Sequence, residues 1–153
     1  MVRSRRTLIL LASVLFGCAT TGGAPKGIAA SGATDRAADG ATLAQIYFWR
    51  AKPGKLEEYT RYIRDHAEPI DDEARRAGAF LSVMTYLAAD TTVPWTHMRV
   101  FALRDSTQLR ALGDALTAAG VRLQPDSVKR RQQGEYSATL RDRVGAVVVE
   151  LVR

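Results

Sequence analysis

Two imidazoles, one guanidinium and three large aromatics are the side chains best suited to chemistry in this sequence. They are His66, His97, Arg99, Tyr47, Trp49 and Tyr86. His66 falls on or beside the apolar stripe of a helical stretch, and His97 alternates with Arg99 and Phe101 along an extended one. If helix and sheet each contribute an imidazole to one pocket, His66 and His97 are catalytic candidates. Tyr47, Trp49, Tyr86 and Arg99 then line the pocket, and the set offers a base and a cation to an anionic or phenolic ligand. A plainer alternative has each imidazole half-buried and hydrogen-bonded locally, with the strand aromatics stacking where two copies meet. The sequence leaves both readings open.

Other chemistries are poorly supplied. No carboxylate stands at helical or hairpin spacing from either histidine in the manner of a zinc or iron triad, so no metal is expected. G-x-S-x-G, Walker-type and G-x-G-x-x-G patterns are absent from the sequence. The acids Glu57-Glu58 and Asp71-Asp72-Glu73 read as the solvated side of a helix.

The sole cysteine, Cys18, sits in a different context. A cationic start, MVRSRR, is followed by the uncharged apolar run TLILLASVLF, Thr7 to Phe16. That run is shorter than the roughly 20 apolar residues a bilayer-spanning helix needs, and it reads as a secretory signal. The run ends in Leu15-Phe16-Gly17-Cys18, which resembles the lipobox of bacterial lipoproteins. The resemblance implies a signal peptide over 1–17, diacylglycerylation of the Cys18 thiol, and a membrane partner reached through that lipid. Two or three acyl chains anchor stably where one does not. Ala19, in place of an aspartate that would resemble an inner-membrane retention signal, points to the cell envelope at the periplasmic face of the outer membrane in a host with two membranes.

Residues 18–41 are dominated by Gly, Ala, Ser and Thr and contain no aromatic residue, a composition that cannot offset its ordering entropy. They read as a tether with a reach of about 25 Å. The net charge of +6 at first suggests a nucleic-acid partner. Removing Arg3, Arg5 and Arg6 with the signal leaves 22 − 3 = 19 basic residues against 16 acidic, a balance of +3. Those remaining charges alternate in sign, so no nucleic-acid binding is expected.

Residues 42–153 carry the fold. LAQIYFWRA is rich in β-formers and is closed by Lys52-Pro53-Gly54. An amphipathic helix follows from Lys55 to Gly78, broken or kinked at Pro69. Strands are expected at Ala79 to Ala88 and at Trp95 to Leu103. A helix then opens at Asp105, with Gln108 completing a capping box, and ends at Gly120. A weaker helix over Asp126 to Arg143 precedes a buried strand at Val144 to Val152. The order is α+β, a ferredoxin-like βαββαβ arrangement with an extra C-terminal helix before the last strand. Two helices cover one sheet face. The first strand is apolar on both sides, Tyr47 and Trp49 against Ile46 and Phe48, so the second face needs a cover.

The segments IYFWRAKPGKLEEYTRYIRDHAEPI, AGAFLSVMTYL and WTHMRVFALRDSTQL resemble the dimeric α+β barrel superfamily. Its members include antibiotic-biosynthesis monooxygenases, stress-responsive barrel proteins, EthD-like proteins and muconolactone isomerase. The resemblance implies a homodimer packed sheet to sheet, a pocket for a small apolar or aromatic ligand in each half, and no cofactor. It leaves two functions: a binding or structural module, or a cofactor-independent monooxygenase- or isomerase-like enzyme. Haem-binding relatives use an axial histidine, a position only His66 suits.

Overall fold

In the computed structural model, which describes residues 39–152, four antiparallel strands form one sheet in the order β2-β3-β1-β4. The expected signal peptide, Cys18 and nearly all of the expected tether lie outside the described residues. Strand β1 spans Leu43–Ala51. Gly54, at a φ of 72°, takes the left-handed conformation that the turn after β1 requires.

The long first helix is built in three pieces: α1 (Leu56–Tyr62), a π-helical turn (Ile63–Ala67) and α2 (Glu68–Arg76). The break expected at Pro69 is realised as this wider turn. Proline has no N–H to give to the turn below it, and just ahead of it the Glu68 N–H bonds the Ile63 carbonyl five residues back. Helix α2 closes with Gly78 at a φ of 82°; the Gly78 N–H reaches the Arg75 carbonyl at 2.9 Å and the Ala79 N–H the Ala74 carbonyl at 3.1 Å.

Strands β2 (Ser82–Leu87) and β3 (His97–Leu103) form the hairpin that the sequence suggests, each shorter at its start than expected. Residues 79–81 leave the helix cap and drop Phe80 into the core at 2% exposure before pairing begins. Helix α3 (Ser106–Leu123) opens on Asp105, whose Oδ1 accepts from the N–H groups of Thr107 and Gln108. Gln108 completes the cap one residue further out, accepting from the Arg104 N–H at 2.7 Å, and donates to the Gly78 carbonyl. One side chain thereby ties the start of α3 to the end of α2.

Gly120 does not end α3. The helix continues to Leu123, and a Cβ at Gly120 would make only ordinary contact with the Ile70 side chain of α2, at 3.7 Å. Helix α4 spans Ser127–Leu140, capped by Asp126, and β4 spans Arg141–Glu150. The last strand thus begins three residues before the expected Val144, where a helical end was expected. It is also not buried: Val144, Val147 and Val148 are 42–44% exposed on what is an edge strand of the sheet.

The register sorts the sheet into two faces. Leu43, Gln45, Tyr47 and Trp49 stand opposite Leu103, Phe101, Arg99 and His97, and this face lies under the helices. The main core is Ala74, Phe80, Phe101, Leu103, Leu112 and Ala119; a second cluster joins Ala51, Tyr59, Ile63 and Leu140. The other face carries Ile46, Phe48, Met84, Tyr86, Met98, Val100, Val147 and Val149. None of these eight is fully buried, so an apolar sheet face stays open to solvent. The fold is α+β with a four-stranded antiparallel sheet, compatible with the ferredoxin-like arrangement.

Candidate functional site

The six candidate side chains do not converge on one pocket. Tyr47, Trp49, His97 and Arg99 share the helix-covered face, as the pairs Tyr47–Arg99 and Trp49–His97 of β1 and β3. Tyr86 is paired with Met98 on the opposite, open face, where its hydroxyl meets the Met84 sulfur at 3.4 Å. A one-residue change of position along a strand reverses the face, and Tyr86 falls on the even side. His66 belongs to neither face: it lies in the π-helical turn.

His97 is closed off. Only 1% of it is exposed, its Nε2 lies 3.0 Å from the Thr60 hydroxyl and its Nδ1 2.9 Å from the Thr96 hydroxyl. Thr60 already donates to the Leu56 carbonyl, so the consistent assignment is a neutral ring with Nε2–H donating to Thr60 and Thr96 donating to Nδ1. The Tyr59 ring meets it edge-on at 4.6 Å. Burial lowers its pKa to about 4. Such an imidazole is a structural strut, with no lone pair left for a substrate.

Its linkage to stability has a definite sign. The folded pKa lies below the ordinary value of 6.5, so the unfolded chain binds the proton first. The contribution is complete above pH 6.5 and is lost as the pH falls toward 4. Its slope is at most about 1.4 kcal/mol per pH unit. Urea unfolding between pH 7 and 4 is expected to show this loss in the wild type and a flatter dependence in His97→Gln, whose amide keeps one donor and one acceptor. Equal slopes would refute the assignment.

Beside His97, Arg99 forms a buried ion pair with Asp71 of α2, the two side chains 11% and 4% exposed. The Arg99 Nε has no hydrogen-bond partner among the described residues. Next along the same face, Arg141 of β4 lies 3.5 Å over the Trp49 ring and 5.7 Å from the Tyr59 ring. Burial raises the Tyr59 pKa to about 12, outweighing the pull of Arg141 and Arg99. Arg143 lies 5.4 Å from the Tyr47 ring. Arg141 and Arg143 were hidden from sequence reasoning inside an expected helix, although their alternate spacing is the strand signal that would have placed them on one face.

His66 opens onto a cleft of about 340 Å³ between the π-helical turn, the end of α3 and α4, with Tyr62, Ile70, Leu123, Arg130 and Gln133 among its walls. Gln133 Nε2 is 2.9 Å from His66 Nδ1, and the Tyr62 ring lies against the imidazole at 4.9 Å. Donation by the amide leaves Nδ1 as acceptor and Nε2 as the protonated nitrogen. Arg130 is held on the Gln124 and Pro125 carbonyls, each at 2.7 Å. The cleft therefore offers an aromatic wall, an imidazole and an amide in fixed orientations. Stacking of Tyr62 on Tyr59 at 6.5 Å connects this cleft to the ring around His97. Among the described residues, no group of three or more His, Cys, Asp or Glu is placed to hold a metal ion.

No family model matches the chain, and no curated protein matches it. The crystal structure of HapK from Hahella chejuensis is similar to it, with a TM-score of 0.50 and 9% sequence identity over 72% of this chain and 92% of HapK. At that identity the likeness is one of fold alone.

Proposed function

We propose that this chain is a lipid-anchored protein of the cell envelope whose α+β domain pairs with a second copy and binds a small, partly aromatic molecule. The cleft beside His66 carries the binding reading. Its volume of about 340 Å³ lies in the range of small-molecule sites, and its polar groups converge beside an aromatic wall. The binding reading is preferred to an enzymatic one because the His97 imidazole has both nitrogens engaged. In a cofactor-independent monooxygenase- or isomerase-like enzyme, the base would fall to His66 alone.

Ligand-observed NMR with a library of small aromatic acids and amides tests this reading. Hits are expected to lose affinity roughly tenfold in Tyr62→Ala and His66→Ala, through the lost stacking and hydrogen bond, and to be unaffected in His97→Gln. Hits that ignore both cleft variants would remove the cleft from consideration.

The anchor reading rests on Leu15-Phe16-Gly17-Cys18. Among the described residues, no helix is long and apolar enough to cross a membrane. Mass spectrometry of detergent-extracted protein is expected to find an acylated Cys18 at the amino terminus. The Cys18→Ala variant is expected to lack that acylation and to accumulate with its signal attached. An intact chain carrying a free Cys18 thiol would overturn the anchor. Pairing with a second copy is supported by the open apolar sheet face, which in the superfamily resembled would pack against its own copy.

A further inference from the structure

We propose that Arg141 and Arg143, laid over Trp49 and Tyr47 at the β1–β4 seam, form a receptor for a small oxyanion, the carboxylate or phosphate group of a small molecule. The site is separate from the His66 cleft. Its construction begins in the register: β4 pairs Arg143 with Trp49 and Arg141 with Ala51, and an irregularity follows Phe48. Both guanidinium groups thereby come onto the helix-side face and settle against aromatic rings, Arg141 at 3.5 Å from the Trp49 centroid and Arg143 at 5.4 Å from that of Tyr47.

A guanidinium stacked on a ring presents its N–H donors around its edge, in the fork geometry that matches an oxyanion. Stacking also fixes side chains that would otherwise lose rotamer freedom on binding, and Arg141 lies between two rings, Trp49 at 3.5 Å and Tyr59 at 5.7 Å. The charge of this pair is unanswered. Among the described residues, no carboxylate lies within ion-pair distance of Arg141 or Arg143. Asp142 between them projects to the other face, opposite Arg50, and reaches Lys52 at 3.9 Å. Arg99 makes no claim on an incoming anion because Asp71 already neutralises it. Two like charges on one strand face repel, and an anion bridging them removes that repulsion. Access is open: Arg143 is exposed, and Arg141, Trp49 and Tyr47 are each part-exposed.

The test reads Trp49 directly. The chain has two tryptophans, so Trp95→Phe leaves Trp49 as the sole indole reporter. Full-length protein in non-ionic detergent is titrated with inorganic phosphate or with benzoate at constant ionic strength in chloride. At least one of the two is expected to shift Trp49 emission saturably. Arg143→Gln and Arg141→Gln are expected to weaken that binding roughly tenfold each, with Arg143→Lys between them and the parent because a lysine keeps the charge but not the fork. His66→Ala is expected to leave it unchanged, which separates this site from the cleft. Saturation by phosphate alone assigns a phosphate ligand, and by benzoate alone a carboxylate. Arg143 is exposed, so its variants keep the fold, which thermal unfolding checks. The proposal is overturned if neither anion saturates, or if a folded Arg143→Gln binds as the parent does.

Discussion

Asp71→Ala is expected to destabilise the domain by about 3–5 kcal/mol, the cost of stranding a buried charge. Asp71 and Arg99 meet between α2 and β3 with side chains only 4% and 11% exposed. Removing the carboxylate leaves the guanidinium desolvated, with its Nε already lacking a partner among the described residues. In a domain of this size such a loss lowers the melting temperature by roughly 12–20 °C. The double variant Asp71→Leu/Arg99→Met is expected to recover most of the loss, because replacing both members of a buried pair with apolar groups is often neutral. Differential scanning calorimetry of the single and double variants decides. If the separate costs of Asp71→Leu and Arg99→Met simply add up to that of the double variant, the pair is not coupled.

If the domain pairs through its open sheet face, Val100→Asp is expected to leave it monomeric at micromolar concentration. Val100 stands on the open sheet face, opposite Ile46 on β1 and Met84 on β2, near the middle of the apolar row. If that face is where two copies meet, a two-fold interface places the substitution in both subunits at once. Each carboxylate is then buried without a partner, against an interface that needs about 800 Å² per subunit to be stable. A loss of roughly 4 kcal/mol corresponds to about a thousandfold in dissociation constant. Sedimentation velocity of wild type and variant reads the outcome, and Val144→Asp, on the edge strand, serves as a surface control. A wild-type monomer, or a Val100→Asp dimer, would rule out pairing through this face.

Elements with two agreeing local signals were legible in the sequence. Strand β1 combined β-formers with a Pro-Gly stop, and α3 combined an Asp105 cap with an apolar stripe of Leu109, Leu112, Leu116 and Ala119. Single signals misled. Gly120 carries the chemistry of a helix end, but α3 runs on to Leu123 along its packing against α2. The apolar run at the end read as a buried strand because composition cannot distinguish a central strand from an edge. At the site, alternation put Tyr47 with Trp49 on one side of their strand and His97 with Arg99 on one side of theirs, but only the register shows that the two sides are one face and that Tyr86 is on the other. Alternation could not say that His97 would meet two threonines, because Thr60 comes from a helix 37 residues away in the chain. The Arg141–Trp49 stack likewise needed the register of β4, which no local pattern encodes.

Helix α4 passes into β4 with no intervening residue: Leu140 ends one and Arg141 begins the other. Leu140 is fully buried, and its carbonyl is gripped by the Lys52 N–H at 2.9 Å. The joint therefore stands between Gln133 of the cleft on the helix and the arginines of the sheet edge on the strand. With no linker residue between helix and strand, the direction of α4 and the placement of Arg141 over Trp49 are set together at one buried leucine.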